Sequence, residues 1–235
     1  MRRKALRFSA LHFSLTNSKA PYIPSPNDSL DLIFRDASLL VINKPAGLLA
    51  VPGRGADKQD CMASRVQVEF PDALVVHRLD MATSGLLLFA RGVAMQCRLS
   101  HLFRERLIAK RYVAVVAGSL EPPTGEIDLP LVGDWPNRPL QRVDFKTGKP
   151  SLTRYRLLEH DACTNTSRVE LEPVTGRTHQ LRVHMAAIWH PILGDALYGE
   201  NAGGKAERLL LHAYSLSFAH PLSGELLTMV SEPPF

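Results

Sequence analysis

The distribution of apolar residues is what most limits how this chain can fold. From residue 32 onward they come in short runs broken by turn signals. Leu32–Phe34 and Leu39–Ile42 are separated only by Arg35-Asp36, which reads as strand, tight turn, strand. Lys44-Pro45-Ala46-Gly47 ends the second strand, and Val51–Gly55 is a further turn-rich loop. Leu74–Val76, Leu86–Ala90, Tyr112–Val116, Leu152–Leu158, Val169–Leu171 and Leu209–Phe218 read as later strands. Only two stretches keep helical spacing. Ala94–Leu107 carries Leu99, Leu102, Phe103 and Leu107, and His179–Ile188 carries Leu181, Met185 and Ile188. Pro122–Pro150 holds six prolines and reads as loop. Strands joined by short turns, with two helices, predict an α+β fold with a mixed, mainly antiparallel sheet and flanking helices, not a repeating βαβ array.

At 235 residues and 45% apolar, the chain can bury a substantial core. No apolar run approaches the length needed to span a bilayer, so no membrane association is expected. The formal net charge of +5 favours polyanionic partners without choosing among them. Most of that excess lies in the first 30 residues, where Arg2, Arg3, Lys4, Arg7 and Lys19 face one acid, Asp28. Any nucleic-acid surface on the remainder must therefore be a local basic face. Residues 1–29, with Pro21, Pro24 and Pro26, read as a flexible basic arm, and residues 30–235 as one domain. A targeting peptide is the alternative reading of the arm. Cys61, Cys97 and Cys163 form no CxxC and are odd in number, so a reducing cytoplasm is the simple reading.

Three polar stretches interrupt the apolar pattern. His77-Arg78-Leu79-Asp80-Met81-Ala82-Thr83-Ser84-Gly85 lies between two strands and so emerges at a sheet edge or cleft. Lys110-Arg111-Tyr112 opens the strand after the first helix. Thr175-Gly176-Arg177-Thr178-His179-Gln180-Leu181-Arg182-Val183-His184 opens the second helix, where free backbone N–H groups would suit a phosphate. Taken singly, each reads more simply as turn caps and solvated charge. Other chemistries find little support. His179 and His184 are not spaced as HExxH, and there is no GxSxG elbow or Walker A loop. Gly53-Arg54-Gly55 is too short for a nucleotide fingerprint, and no metal site is expected.

Together the stretches resemble the RluA family of pseudouridine synthases. His77-Arg78-Leu79-Asp80-xx-Thr83-Ser84-Gly85-Leu86 is similar to that family's active-site signature. Asn43–Leu48, Lys110-xx-Tyr112, Gly176–His184, His190–Asp195 and Leu211-His212-Ala213 match its other landmarks in order, over roughly residues 30 to 230. About 30 residues precede this body, too few for the S4 RNA-binding domain that many relatives carry. The loop Asp134–Pro139 with Gly148-Lys149-Pro150 is similar to the member that modifies both a 23S rRNA hairpin loop and a tRNA anticodon loop.

The resemblance implies a pseudouridine synthase fold with a central active-site cleft. It implies a cytoplasmic isomerase, monomeric by default, that turns uridine into pseudouridine in 23S rRNA and tRNA stem-loops and needs no cofactor. The reaction breaks the C1′–N1 bond, turns the base and joins C5 to C1′, with no net redox change. Asp80 becomes the catalytic carboxylate, stabilising or bonding to the sugar as in glycoside chemistry, or removing a ribose proton. An adjacent cation favours the ionised form of a buried carboxylate, and Arg182 is the implied partner. Tyr112 would stack on the uracil and could take the C5 proton. Arg78 would enter the RNA and hold the flipped state. His77, Thr83, Arg177, His179, Gln180 and Leu181 complete the implied substrate contacts. Arg104, Arg106, Lys110, Arg111, Arg138, Arg142 and Lys146 are plausible backbone contacts, although each taken singly reads more simply as a solvated surface charge. A single-RNA enzyme, a catalytically silent RNA-binding homologue and a nucleosidase that frees uracil remain the alternatives.

Overall fold

The structure, a computed structural model, describes residues 22–24, 29–199 and 206–235. The bulk of the basic arm thus lies outside the described residues. Within that segment Tyr22 is fastened to the body: its hydroxyl donates to the Asp60 carbonyl at 2.9 Å and accepts from the Leu49 N–H.

Among the described residues, twelve strands and three α-helices follow in chain order. They are β1 (Leu32–Arg35), β2 (Leu39–Lys44), α1 (Met62–Glu69), β3 (Ala73–Val75), β4 (Ser84–Arg91), α2 (Val93–Arg104) and β5 (Ala109–Ala117). Then come β6 (Thr124–Asp128), β7 (Leu131–Gly133), β8 (Gln141–Val143), β9 (Leu152–Asp161), β10 (Thr166–Pro173), α3 (Gln180–Ala187), β11 (Leu211–Ala219) and β12 (Leu226–Val230). The main sheet runs β1-β2-β4-β11-β5-β10-β9-β6, with β3 added to β4 and β12 to β11, while β7 and β8 form a separate hairpin. Every pairing is antiparallel except β4 with β11. This is the mixed, mainly antiparallel α+β sheet that the apolar runs predict.

β2 and β4 are buried on both faces, which is why they read as continuous apolar runs instead of alternating ones. Leu40, Ile42, Leu87 and Phe89 point to one side, against Met62, Ala63 and Val66 of α1. Leu39, Val41, Leu86 and Leu88 point to the other, against Met95 and Leu99 of α2. Each such side chain contributes about 1.5–3 kcal/mol relative to exposure. The far half of the sheet packs Ala114, Val116, Val169 and Leu171 on Leu181 and Met185 of α3.

Several features depart from the sequence expectation, among them β12, a strand that the sequence reading does not include. First, there are three helices, not two. α1 is short and its N-cap is Cys61, an unusual capping residue, closed by a reciprocal bond with Ser64. Second, Pro122–Pro150 is not simply loop. It holds β6 on the sheet and the β7–β8 hairpin, whose strands are too short to show alternation. Third, α2 stops at Arg104, and Leu107, expected on its apolar face, is 58% exposed beyond a turn in which Arg106 takes a φ of 59°.

β4 and β11 meet at only two residue pairs, His212 with Ser84 and Ala213 with Gly85. Gly85 has a φ of 110°, and a Cβ there would sit 2.4 Å from the Ala213 carbonyl oxygen. Only glycine lets the two backbones approach so closely at the point where the catalytic signature enters the sheet.

Candidate active site

A cleft of about 610 Å³ opens where the β3–β4 loop, the start of β5 and the N-terminus of α3 converge. All ten residues singled out in the sequence line it: His77, Arg78, Asp80, Thr83, Tyr112, Arg177, His179, Gln180, Leu181 and Arg182. They do not play one kind of part.

Asp80 sits on the turn between β3 and β4, closed by the Thr83 N–H donating to its carbonyl at 3.1 Å. Its side chain is 24% exposed, facing the cleft. Arg182 Nη1 stands 3.3 Å from Asp80 Oδ2, the pairing that the resemblance implied. The guanidinium's main partner, however, is Asp195. Nε and Nη2 donate to its two oxygens at 2.8 and 2.7 Å, in a bidentate pair that is almost fully buried. Burial works against the charge on Arg182, but the hydrogen bonds and charge of Asp195, and then Asp80, hold its pKa above the ordinary value. Asp195 Oδ1 also accepts the N–H groups of Leu197 and Tyr198. It thereby aims Arg182 so that Nη1 is left facing Asp80. Sequence reasoning saw Asp195 only as the end of a landmark motif and gave it no role.

His179 lies 3.8 Å from Asp80 Oδ2 through Nε2, and its Nδ1 meets the Tyr198 hydroxyl at 2.7 Å. That hydroxyl also accepts the Gln141 N–H, so its own hydrogen is free to go to His179 Nδ1. When the hydroxyl donates there, the His179 proton sits on Nε2, on the side of Asp80. Burial lowers the His179 pKa, overriding the pull of Asp80, and keeps the ring neutral near pH 7. Tyr198 is a second residue that sequence reasoning missed. Its signal is weak, one tyrosine soon after the His190–Asp195 landmark.

Tyr112 is held in β5 between β10 and β11, opposite Leu171 and Ala213. Burial first, and the charge of Asp80 second, raise its pKa above the ordinary tyrosine value. It is therefore a neutral phenol throughout the physiological range. Arg78 is exposed at the mouth of the cleft.

Other residues serve the scaffold more than the opening. His77 Nε2 accepts the Leu88 N–H at 2.9 Å, and its ring lies 4.6 Å from that of Phe103. Burial, and then Lys110, lower its pKa to about 3, so it is a neutral acceptor that continues the β3–β4 ladder. Gln180, expected to touch substrate, is engaged internally. Its Oε1 accepts from the Thr175 hydroxyl and the Arg177 N–H, and its Nε2 donates to the Leu152 carbonyl and Thr153 Oγ1. The Arg177 N–H is thus taken by a side chain and not open to a phosphate. The Arg177 side chain stays exposed and reaches the Pro150 carbonyl.

Beneath the turn lies Lys44, fully buried, whose Nζ donates to the carbonyls of Pro45, Leu48 and Met81 at 2.7, 2.8 and 3.2 Å. The Gly47 N–H donates to the same Met81 carbonyl. Burial lowers the Lys44 pKa to about 7 although the nearby Asp80 raises it. The Asn43–Leu48 motif is therefore a clamp under the Asp80 turn. Behind the turn, Ser84 Oγ meets His212 Nδ1 at 2.8 Å, and His212 Nε2 meets the Ser231 carbonyl.

A carboxylate in a cleft, charge-paired and sharing that cleft with a half-buried aromatic, on this sheet, fits the pseudouridylate synthase class. Solved structures agree. Human RNA Pseudouridylate Synthase Domain Containing 1 aligns with a TM-score of 0.73 at 31% identity, over 91% of this chain and 87% of that one. Human RNA Pseudouridylate Synthase Domain Containing 4 aligns with a TM-score of 0.68 at 26% identity, over 86% and 88%. The family model described as RNA pseudouridylate synthase matches residues 38–187. Curated relatives named Dual-specificity RNA pseudouridine synthase RluA include those of Escherichia coli K12, 48% identical over 91% of this chain and 98% of theirs, and Vibrio parahaemolyticus, 52% identical over 86% and 82%. The chain belongs to the RNA pseudouridylate synthase family, in its RluA branch. It is an RNA pseudouridine synthase, an isomerase.

Proposed function

We propose that the chain isomerises uridine in both a 23S rRNA hairpin loop and a tRNA anticodon loop, with Asp80 as the catalytic carboxylate. The observation that carries this reading is Asp80 itself, open to the cleft on one side and held by Arg182 on the other. Support for the double substrate comes from the dual-specificity relatives, which share about half of their residues with this chain. Asp80 acts on ribose C1′ or its neighbouring proton, and Arg182 keeps it charged and aimed. Tyr112 stacks on the extruded uracil. As a neutral phenol it takes the C5 proton only if its own proton passes to solvent in the cleft in the same step. Arg78 fills the space the flipped base leaves, and Arg177 meets the backbone. Residues 30–235 work as one catalytic domain, with the basic arm adding RNA affinity. The reaction has no net redox change and transfers no group, so its chemistry calls for no metal or cofactor; we read the enzyme as a cytoplasmic monomer.

The test uses rRNA and tRNA stem-loops tritiated at uracil C5. Wild-type protein should release tritium to water from both RNAs without freeing uracil. Release from one alone would remove the double specificity, and free uracil would indicate a nucleosidase. Tyr112→Phe should bind RNA normally and lose turnover, and normal turnover in that variant would acquit the hydroxyl.

A further inference from the structure

Beyond the rim of the cleft, the β7–β8 hairpin presents an aromatic surface that none of the chemistry above uses. Trp135, in its turn, is 70% exposed, and the Arg138 guanidinium lies over its indole. The turn is fastened by its own bonds. Asn137 Nδ2 donates to Asp134 Oδ2 at 2.9 Å, and the N–H groups of Asp134, Asn137 and Leu140 donate to carbonyls within the turn. At its base, Leu131 and Leu140 pack against Val183 of α3 and against Tyr198. The Gln141 N–H donates to the same Tyr198 hydroxyl that orients His179. The indole is thus held open to solvent on a support shared with the helix that supplies Arg182.

We propose that Trp135, with Arg138 laid on it, is a stacking platform for an unpaired nucleotide of the substrate's loop, a neighbour of the target and not the target itself. It is then a specificity-determining contact, and the proposal rests on the reading of the chain as an RNA uridine isomerase. Trp135 does not line the cleft, so it cannot hold the reacting base, a place Tyr112 already fills. Charge complementarity points to nucleic acid as the occupant. Residues 131–149 carry Arg138, Arg142, Lys146 and Lys149 against Asp134 and Asp144. That is a net excess of two cations, although Arg142 is paired with Asp144 at 3.1 Å. The segment that follows the hairpin reaches the cleft, because Arg177 on the rim donates to the Pro150 carbonyl. Single-stranded loops are bound by stacking on aromatic rings and arginine planes, and indole offers the largest such face.

The experiment compares wild type, Trp135→Ala and Trp135→Phe on RNA stem-loops, with an abasic site placed at each loop position other than the target. Trp135→Ala should raise Kd about tenfold and leave kcat at saturating RNA within about twofold of wild type, and Trp135→Phe should recover most of the affinity. One abasic position should weaken wild type but not Trp135→Ala, which identifies the stacked nucleotide. Overturning results are an unchanged Kd in Trp135→Ala on both RNAs, or a fall in kcat with Kd intact. The first would leave the indole as a surface for protein or solvent. If wild-type protein isomerises no stem-loop at all, the functional reading falls. If it does, and Trp135→Ala matches it, only the platform falls.

Discussion

The Asp80 turn and the β7–β8 hairpin are both short connections between strands, but they treat their polar groups in opposite ways. Residues 77–85 are tied down from below, behind and beside: Lys44 on the Met81 carbonyl, His212 on Ser84, and His77 on Leu88. Almost the only polar groups left to the cleft are the carboxylate of Asp80 and the side chain of Arg78. The hairpin is fastened at its root and leaves an indole and several cations in solvent. Chemistry needs one group fixed within a fraction of an ångström, whereas recognition of a flexible loop needs reach and sequence-tolerant contact. On the reading proposed above, buried polar density goes with the part assigned to catalysis, and exposed aromatic and cationic surface with the part assigned to RNA contact.

The contrast can be broken by experiment. The largest effect belongs to Asp80→Asn, which should lower single-turnover rates by about 10²–10⁴-fold or more while RNA affinity stays close to wild type. Normal turnover would remove the carboxylate from the mechanism. Next, Asp195→Asn or Arg182→Met leaves one member of a nearly buried pair uncompensated. Each should cost about 3–5 kcal/mol in urea unfolding and most of the activity. A loss of activity alone would mean that Asp195 aims Arg182 without supporting the fold.

A subtler effect is expected from Lys44. Its folded pKa, about 7, lies below the ordinary lysine value, so the unfolded chain binds the extra proton between those two pH values. Stability from this site therefore rises as pH climbs from 7 toward 10.5, and Lys44→Met should flatten that rise in urea midpoints measured across the window. His77 follows the same sign lower on the scale. With a folded pKa of about 3 against 6.5, it contributes fully above pH 6.5 and loses that contribution as pH falls toward 3. His77→Gln should blunt the acid transition. Hairpin substitutions such as Arg142→Ala should move stability least, within about 0.5 kcal/mol, and act on RNA affinity and its salt slope. A hairpin variant more destabilising than a Lys44 variant would reverse the contrast.

Sequence patterning made the sheet legible because β2 and β4, buried on both faces, concentrate their apolar residues into unbroken runs. α1 escaped because eight residues capped by a cysteine offer neither a full period nor a recognisable start. β6, β7 and β8 escaped because proline-rich spacers dilute strands of three to five residues. Within the site, Asp80, Tyr112 and Arg182 were found through local motifs. Asp195 and Tyr198 were not given roles, because their importance comes from whom they touch across the fold, and the Arg182–Asp195 bond joins residues 13 apart with no spacing rule. Gln180 misled for the converse reason: a motif position says that a residue matters, not whether it faces outward.

Strand β11 lies between β4 and β5, yet it is made after both, and it is the seam that joins the Asp80 half of the sheet to the half bearing Tyr112. A growing polypeptide therefore cannot assemble the two walls of its cleft until residues 211–219 have left the ribosome. The ability to modify RNA should then arrive in one late step of synthesis, and fragments cut short before that strand should carry every side chain proposed for catalysis and still be inert.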